Sequence, residues 1–343
     1  MVIAVTGGTG FLGAHTVALL VAAGARVRVL ARVPAAGTVP DGVEVVPGDV
    51  TDEVAVARLV AGADAVLHAA GVYSFDSRRR AELARVNVAG TETVLAAARA
   101  AGAGRIVHVS TVGALYPAAG SIGPETPVGT SREPYLAAKA TAERIARRHR
   151  DEGVPVTIVY PPALLGPEDP RLGDQNARLR DLLRGLMPFW PSGGLPIGDV
   201  RDTAAQLAAV LTAPGPVGPA YFGPGHFVTT RGYLDLVRAA TGRRLPAVFL
   251  PPALLTPVGR LGGLLQRAWP WHIPAEHGAI HVCAVAEPVA PTAPDAGVPA
   301  RPAAETVTDA VRWLHGAGVL TARQAGRASS RGFAASPAAG RAR

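Results

Sequence analysis

Tyr135 and Lys139 have the types and the spacing of an acid–base centre. A four-residue spacing on a helix places both side chains on one face. A tyrosine hydroxyl has a pKa of ~10, and a nearby cation favours its ionised form, so a lysine can make it a usable acid or base. Lys139 is the only lysine among 34 Lys and Arg residues; every other basic position of these two types is an arginine. The pair therefore predicts proton transfer by Tyr135.

Two hydroxyl side chains follow a short apolar run and could share this chemistry. Residues 105–109 predict a strand, and Ser110 and Thr111 stand at its carboxyl end. Either hydroxyl could hydrogen-bond a substrate oxygen while Tyr135 gives or takes its proton. A nicotinamide would then exchange a hydride with the adjacent carbon.

A glycine-rich turn near the start of the chain has the pattern of a phosphate-binding loop. The apolar residues 2–5 predict a buried strand, residues 11–23 predict a helix, and Gly7, Gly10 and Gly13 lie at the junction. Glycines there permit the tight turn, the close approach of a diphosphate and the close packing of helix on strand. Free N–H groups at the helix N-terminus complete an anion site. The stretch predicts dinucleotide binding.

The residue after the second strand predicts which dinucleotide is bound. Residues 26–31 alternate in the period of a strand and are followed by Arg32. At this place an acid bonds the adenosine 2′-hydroxyl, whereas an arginine accommodates a 2′-phosphate. Asp41 comes too late in the sequence to be that acid. NADP(H) is therefore the preferred cofactor, with NAD(H) as the alternative.

Strands alternate with helical stretches through the first half of the chain. This order predicts right-handed crossovers and a parallel sheet whose carboxyl ends bind ligands. Several of the singled-out residues fall at such ends: Gly7, Arg32, Asp49, Gly71, Thr111 and Pro161. The predicted fold is α/β, a Rossmann-type doubly wound parallel sheet with a smaller, mostly C-terminal substrate-binding lobe. The predicted limits are 1–165 for the dinucleotide-binding domain and 166–320 for the lobe, with some lobe elements returning to the main sheet.

Composition argues against several other classes of protein. Residues 321–343 hold five arginines and no acid, which leaves +3 of the net charge of +8 for residues 1–320, too little for a nucleic-acid partner. The Arg/Ala/Gly-rich residues 321–343 predict a disordered tail. With Cys283 as the only cysteine, no apolar leader and no membrane span, we expect a cytoplasmic protein. We expect no metal site.

The sequence resembles the extended short-chain dehydrogenase/reductases, in the NAD-dependent epimerase/dehydratase group, and within it the proteins similar to dihydroflavonol 4-reductase. The matching segments are Thr6-Gly-Gly-Thr-Gly-Phe-Leu-Gly13, Gly48-Asp-Val50, His68-Ala-Ala-Gly71, Asn87-Val-Ala-Gly-Thr91, Val109-Ser-Thr111, Tyr135-Leu-Ala-Ala-Lys139 and Tyr160-Pro-Pro-Ala-Leu-Leu-Gly-Pro167. They follow the family's order over residues 1–170. Asp199-Val-Arg-Asp202 extends the likeness, which fades after about residue 240.

The resemblance implies roles for these positions. Tyr135 is the acid/base, Lys139 holds the ribose and lowers the pKa of Tyr135, and Thr111 is the family's Ser/Thr, with Ser110 as the second choice. The implied cofactor-binding residues are Gly7, Thr9, Gly10, Phe11, Leu12, Gly13, Arg32, Asp49, Val50, Ala69, Ala70, Gly71, Asn87, Tyr135, Lys139, Pro161, Ala163 and Leu164.

The same comparison indicates the substrate class. Family members that bind nucleotide sugars usually carry an Arg-Asp pair where this chain has Leu195-Pro196. The residues expected around the pocket are mostly apolar and suit a cyclic or otherwise hydrophobic ketone or alcohol. They are Tyr73, Phe75, Leu115, Tyr116, Phe189 and Trp190.

The leading hypothesis is an NADP(H)-dependent reductase or dehydrogenase of a hydrophobic carbonyl compound. The alternatives are a nucleotide-sugar epimerase or dehydratase with bound NAD and, from another class, a non-catalytic NADP(H)-binding redox sensor or scaffold. The sequence does not identify the substrate, the direction of the reaction or the oligomeric state, for which a homodimer is one possibility.

Overall fold

The computed structural model describes residues 1–33, 39–257 and 277–330. Its strands are β1 (Val2–Thr6), β2 (Arg26–Ala31), β3 (Glu44–Pro47), β4 (Ala65–His68), β5 (Arg105–Val109), β6 (Val156–Tyr160), β7 (Ala163–Leu165), β8 (Phe189–Pro191), β9 (Gly194–Asp199), β10 (Ala220–Phe222), β11 (His226–Thr229) and β12 (Val248–Leu250).

The helices of the described residues complete the order of elements. They are α1 (Phe11–Ala22), α2 (Glu53–Val60), α3 (Arg80–Leu83), α4 (Gly90–Ala100), α5 (Pro134–Asp151), α6 (Asp174–Leu183), α7 (Val200–Thr212), α8 (Thr230–Thr241), α9 (His277–Val285), α10 (Ala303–Gly316) and α11 (Ala322–Ala325). Shorter helical turns lie at Ser77–Arg79, Val112–Leu115 and Gly326–Ser330, and a π-helical segment, Ala84–Ala89, connects α3 to α4.

Seven parallel strands form the main sheet in the order β10-β6-β5-β4-β1-β2-β3. Buried side chains of α2, α4 and α5 pack on one face, and those of α1 and α7 pack on the other. This is the doubly wound α/β fold predicted from the alternation of strands and helices. Strand order reverses between β1 and β4, and in such sheets ligands bind beyond the carboxyl ends of the strands at the reversal.

The second half of the chain contributes both to the main sheet and to a separate core. Strand β10 pairs with β6, and α7 packs against α1. The second core contains side chains of α6, α8 and α10, together with β8 and β9. Two small sheets, β11-β9-β7 and β12-β8, accompany it. The domain limit predicted at residue 165 stays a prediction.

Two further findings concern the described residues. None of their helices combines the length and the apolar character needed to cross a bilayer.

Cys283 is free, and burial raises the pKa of its thiol to about 11, so the thiol is a poor nucleophile at neutral pH.

The prediction of a disordered tail from residue 321 is wrong for residues 321–330. Thr321 begins α11 with a capping box that includes Gln324. Ala325 and Ala328 are buried in the second core. Arg243 donates to the Gln324 carbonyl oxygen at 2.9 Å. Small apolar side chains and backbone carbonyls thus supply contacts that composition alone does not reveal. Residues 331–343 lie outside the described residues.

Truncation after Leu320 should therefore destabilise the protein. It removes two buried alanines and leaves the Arg243 guanidinium without its Gln324 acceptor, a loss of about 1 to 3 kcal/mol. We expect a melting temperature lower by several degrees in a thermal unfolding experiment. Truncation after Ser330 is the matched control and should leave the melting temperature unchanged. Equal melting temperatures for both truncations would contradict this role of residues 321–330.

Candidate active site

A cleft of about 2110 Å³ lies at the carboxyl edge of the main sheet and extends under the loop of residues 166–173. Most of the residues predicted from the sequence line it. They are Gly7, Thr9, Gly10, Phe11, Leu12, Gly13, Arg32, Asp49, Val50, Ala69, Ala70, Gly71, Tyr73, Phe75, Ser110, Thr111, Tyr116, Tyr135, Pro161, Ala163 and Leu164.

The glycine turn fits so closely that side chains are excluded at two positions. Gly7 has a φ of 77°, and a Cβ there would lie 2.5 Å from the Ala69 carbonyl carbon. A Cβ at Gly13 would overlap the Gly7 carbonyl oxygen. Gly10 caps α1 without a side-chain hydrogen bond. The backbone N–H groups at the start of α1 therefore face the cleft without a side chain of this chain as a competing acceptor.

A buried histidine holds β1 and β4 in register beneath the cleft. His68 Nδ1 lies 2.8 Å from Thr6 Oγ1, and His68 Nε2 lies 3.0 Å from Thr91 Oγ1. Burial lowers the pKa of His68 to about 3, with Lys139 as a second cause, so the ring is neutral at physiological pH. His68 thus fixes the strand end that continues into the cleft-lining residues 69–71.

Asn87 is not part of the cleft lining, although the resemblance implies that it binds the cofactor. Its side chain is buried, accepts from Val72 N–H at 2.7 Å and donates to the Val72 carbonyl at 2.9 Å. Both ends of the amide are therefore used within the protein. Because Val72 lines the cleft, Asn87 shapes the wall instead of facing a ligand.

Tyr135 lies at the first turn of α5, beside the carboxyl end of β5. The side chain of Glu133 caps this helix by accepting from Leu136 N–H at 2.8 Å. The Thr111 hydroxyl lies near enough to the Tyr135 hydroxyl to act on its pKa. Thr111 Oγ1 also accepts from Gly113 N–H at 3.2 Å. Ser110 Oγ lines the same cleft and has no partner among the described residues. The effect on the pKa of Tyr135 favours Thr111 over Ser110 as its partner.

Tyr135 is a protonated hydroxyl in this arrangement. Burial raises the pKa of Tyr135 well above the usual value, nearby Tyr73, Glu133 and Asp174 raise it further, and the nearby Thr111 hydroxyl opposes them. The lowering of the Tyr135 pKa by Lys139, implied by the resemblance, stays a prediction.

Lys139 lies behind the cleft wall rather than in it. Its ammonium donates to the Val109 carbonyl at 3.0 Å. Burial lowers its pKa to about 8, while Glu143, one turn further along α5, raises it. An ammonium has three donors, and one bond to Val109 leaves donors for further acceptors.

Aromatic rings surround the Tyr135 side chain on the substrate side. The ring centroids of Tyr73 and Phe75 lie 4.7 and 5.5 Å from that of Tyr135, in edge-to-face geometry. Val282 of α9 packs on the same cluster and lines the cleft. Tyr116 is buried at the edge of this wall. The wall around the candidate proton donor is therefore largely apolar.

Three residues predicted to contact the substrate do not line the cleft. Leu115 is buried in the core of the main sheet. Trp190 is buried in the second core, with its indole N–H donating to the Met187 carbonyl at 2.8 Å. Phe189 is 59% exposed on β8. Strand β8 pairs with β12 and so belongs to a separate two-stranded sheet, a pairing that the sequence pattern did not reveal.

The opposite end of the cleft carries charged side chains. Burial alone would raise the pKa of Asp49, but hydrogen bonds from Thr51 and Arg85 outweigh it and hold the pKa below its usual value. Arg32 is exposed and lines this end. Asp41 lines it too, although its sequence position suggested otherwise. An arginine and an acid thus face the same space.

The 166–173 loop and α6 bring two side chains over the cleft that no pattern in the sequence indicated. Arg171 Nη2 donates to Thr9 Oγ1 at 3.3 Å, and Gln175 Nε2 donates to the Tyr73 hydroxyl at 3.1 Å. The first contact joins residues that are 162 positions apart in the sequence, and the second joins residues that are 102 positions apart. The Pro/Gly-rich composition of the loop carried no signal for either contact.

The residues present fit a dinucleotide better than a metal ion. The cleft combines a left-handed glycine turn with a helix N-terminus, and a lysine with spare donors lies behind its wall. Among the described residues no group of three or more His, Cys, Asp or Glu side chains is placed to bind a metal ion. The chain's own residues therefore suit an anionic ligand that spans the edge of the sheet.

Comparison with known proteins agrees with this geometry. Residues 3–217 match the model of the NAD dependent epimerase/dehydratase family. The chain is 32% identical over 272 residues to the 4-hydroxy-2-methyl-3-oxo-4-farnesyl-3,4-dihydroquinoline-1-oxide ketoreductase of Stigmatella aurantiaca, covering 77% of this chain and 80% of that protein. It is 35% identical over 210 residues to a putative dihydroflavonol 4-reductase of Synechocystis sp., covering 59% of this chain and 60% of that protein.

A solved structure extends the likeness to the whole fold. The crystal structure of gox2253 superposes with a TM-score of 0.78 at 26% identity, covering 94% of this chain and 99% of that one. The predicted resemblance is confirmed: the chain belongs to the NAD-dependent epimerase/dehydratase family and is an NAD(P)-dependent reductase of the extended short-chain dehydrogenase/reductase type.

Proposed function

We propose that this protein interconverts a ketone and a secondary alcohol on a hydrophobic, cyclic small molecule, with NADP(H) as the preferred cofactor and Tyr135 as the acid/base. The observation that carries the proposal is the position of Tyr135, whose hydroxyl lies near that of Thr111 and whose ring contacts those of Tyr73 and Phe75. A protonated hydroxyl in an apolar wall is suited to one task, giving a proton to an oxygen of an apolar substrate.

The raised pKa of Tyr135 favours its role as an acid in the direction of ketone reduction. A protonated tyrosine donates its proton to the carbonyl oxygen as negative charge develops there, and the nearby Thr111 hydroxyl can hydrogen-bond the same oxygen. The reduced nicotinamide, when bound, supplies the hydride. In the reverse direction Tyr135 must accept a proton, which a nearby cation favours.

Residues at three places would hold the cofactor. The glycine turn and the start of α1 would bind the diphosphate through backbone N–H groups. Asp49 and Val50 would border the adenine, and Arg32 would bind a 2′-phosphate. Lys139, with donors left beside its bond to Val109, would bind the nicotinamide ribose. None of these roles requires a metal ion.

The substrate class is argued from the cleft wall and from the relatives. Tyr73, Phe75 and Val282 give the wall an apolar character. The relative from Stigmatella aurantiaca is named for a ketone on a farnesylated quinoline, and the Synechocystis relative for a dihydroflavonol. Both names denote cyclic compounds. A shared substrate class is the simplest reading of these likenesses.

The nucleotide-sugar alternative has less support. Leu195 and Pro196 line the cleft where the sugar-binding members carry their Arg-Asp pair. Arg201, which also lines it, is engaged by Asp199 at 2.7 Å and Asp309 at 2.9 Å. A guanidinium already paired with two carboxylates is a poor site for a sugar diphosphate.

A non-catalytic sensor would have no use for a tyrosine–threonine pair beside an apolar wall. We also propose a cytoplasmic location, because a single cysteine cannot form an intrachain disulfide.

Purified protein should oxidise NADPH in the presence of a panel of cyclic hydrophobic ketones. Tyr135→Phe removes the proton donor and should lower turnover about 10²- to 10⁴-fold while NADPH binding stays nearly unchanged. Steady-state kinetics and fluorescence titration with NADPH measure the two effects. Wild-type turnover by Tyr135→Phe would move the acid/base role elsewhere. NAD retained through purification, seen by mass spectrometry with no ketone turnover, would favour the epimerase or dehydratase alternative.

Cofactor affinity should fall as the pH rises through about 8, the pKa of Lys139. Below this pH the side chain is an ammonium that can bond ribose hydroxyls, and above it the charge is lost, which weakens binding about tenfold. Lys139→Arg keeps its charge over this range but has a wider, planar head, so it should bind more weakly at every pH and turn over more slowly. Fluorescence titrations with NADPH from pH 6.5 to 9.5 compare the affinity of the wild type with that of Lys139→Arg. A flat wild-type profile, or the same inflection in Lys139→Arg, would contradict this role.

Arg32 should set the preference between the two dinucleotides. Loss of its charge-assisted hydrogen bonds to a 2′-phosphate costs on the order of 1.5 to 3 kcal/mol, so Arg32→Asp should weaken NADPH at least tenfold and favour NADH. Arg26→Asp is the matched control, because Arg26 lies at the opposite end of β2 and does not line the cleft. Dissociation constants of both dinucleotides are the readout. If the wild type binds them equally and Arg32→Asp changes neither value, the proposed preference is wrong.

A further inference from the structure

The glycine turn lacks a cationic side chain for a ligand that carries two negative charges. Residues 1–25 contain neither lysine nor arginine. The start of α1 offers N–H groups, and its N-cap, Gly10, contributes no side chain. Backbone dipoles at a helix N-terminus correspond to about half a positive charge. A lysine or arginine side chain that binds a diphosphate at this turn therefore has to come from another part of the chain.

Arg171 is the arginine that contacts this turn. Its Nη2 donates to Thr9 Oγ1 at 3.3 Å, and its exposed side chain lines the cleft. No ion pair among the described residues includes Arg171, in contrast to Arg201 and Arg301, which pair with carboxylates. A long hydrogen bond to a neutral hydroxyl is weak, and a phosphate oxygen is a stronger acceptor for a guanidinium.

The backbone around Arg171 is fixed by a buried carboxylate. Asp169 is 5% exposed and accepts from the N–H of Arg171 at 3.2 Å, the N–H of Gly173 at 2.8 Å and the side-chain amide of Asn176 at 3.0 Å. Leu172, with a φ of 47°, occupies the left-handed region that non-glycine residues rarely adopt. Such conformations persist where the surroundings enforce them, often at ligand contacts.

A second contact holds the same loop against α1. His15 Nε2 donates to the Pro167 carbonyl oxygen at 3.1 Å. Together with the Arg171–Thr9 bond, it places the 166–173 loop across the start of the helix that follows the glycine turn. Arg171 thus reaches the predicted phosphate site from a loop that is anchored at both ends.

We propose that Arg171 binds the diphosphate of the dinucleotide, exchanging its hydrogen bond to Thr9 for phosphate oxygens. The proposal rests on the binding of NAD(P)H proposed above and adds a residue from the second half of the chain to that site. It is independent of the choice between NADPH and NADH, because both carry the diphosphate. It also links cofactor binding to the position of the loop that precedes α6.

The test compares dissociation constants of NADPH, NADH and adenosine 2′-monophosphate for the full chain, by fluorescence or calorimetric titration. Arg171→Gln should weaken both dinucleotides about tenfold and leave adenosine 2′-monophosphate unchanged, because that probe lacks the diphosphate. Arg171→Lys keeps the charge without the planar fork and should lose less. Wild-type affinity should also fall more steeply with salt than that of Arg171→Gln.

Two controls separate this proposal from the others. Arg184→Gln removes an equally exposed arginine of the same region that does not line the cleft, and it should bind all three probes like the wild type. Arg32→Asp should show the complementary pattern, binding NADPH and adenosine 2′-monophosphate more weakly than the wild type but NADH at least as tightly. Dinucleotide affinities of Arg171→Gln within twofold of wild type would overturn the role of Arg171 alone. A wild type that binds neither dinucleotide would overturn the proposed cofactor and this role with it.

Discussion

The contact of three backbone segments at the glycine turn is the constraint on which the rest of the site depends. β1, the start of α1 and the end of β4 approach so closely that a Cβ at Gly7 or Gly13 has no room. Side chains cannot fill this junction, so the backbone N–H groups of the turn stay available to a ligand. The strand order on either side of β1 then sets the direction of the cleft, because the crossovers leave β1 and β4 in opposite directions.

The cleft is assembled from two parts of the chain with different physical character. The main sheet contributes a rigid edge, supported below by the bonds of His68 to Thr6 and Thr91. The 166–173 loop and α6 contribute side chains from above, through Arg171 and Gln175. A ligand between them would contact both, so its binding free energy and the position of the loop are coupled.

The acid–base pair illustrates how burial changes the meaning of a motif. Spacing places Tyr135 and Lys139 on one face of α5, but the ammonium donates to the Val109 carbonyl, and the Tyr135 hydroxyl lies near that of Thr111. Burial acts in opposite directions on the two groups, raising the pKa of the tyrosine and lowering that of the lysine to about 8. Both shifts favour the neutral form, as expected for groups removed from water. The tyrosine is thereby kept as an acid, and the lysine remains charged only up to mildly alkaline pH.

The sequence by itself determined the parallel sheet, the glycine turn and the residues at the strand ends, since these depend on local periodicity and on backbone angles that single residues permit. Gly7, Arg32 and Thr111 all lie in the cleft as their positions predicted. Tertiary structure decided which distant segments meet there. Phe189 and Trp190 are directed away because β8 pairs with β12, whereas Arg171 reaches Thr9 across 162 residues. It also decided that residues 321–330 pack on the second core, because small side chains are buried only where a complementary surface exists. Such pairings depend on long-range packing, for which no local pattern in the chain carries a signal.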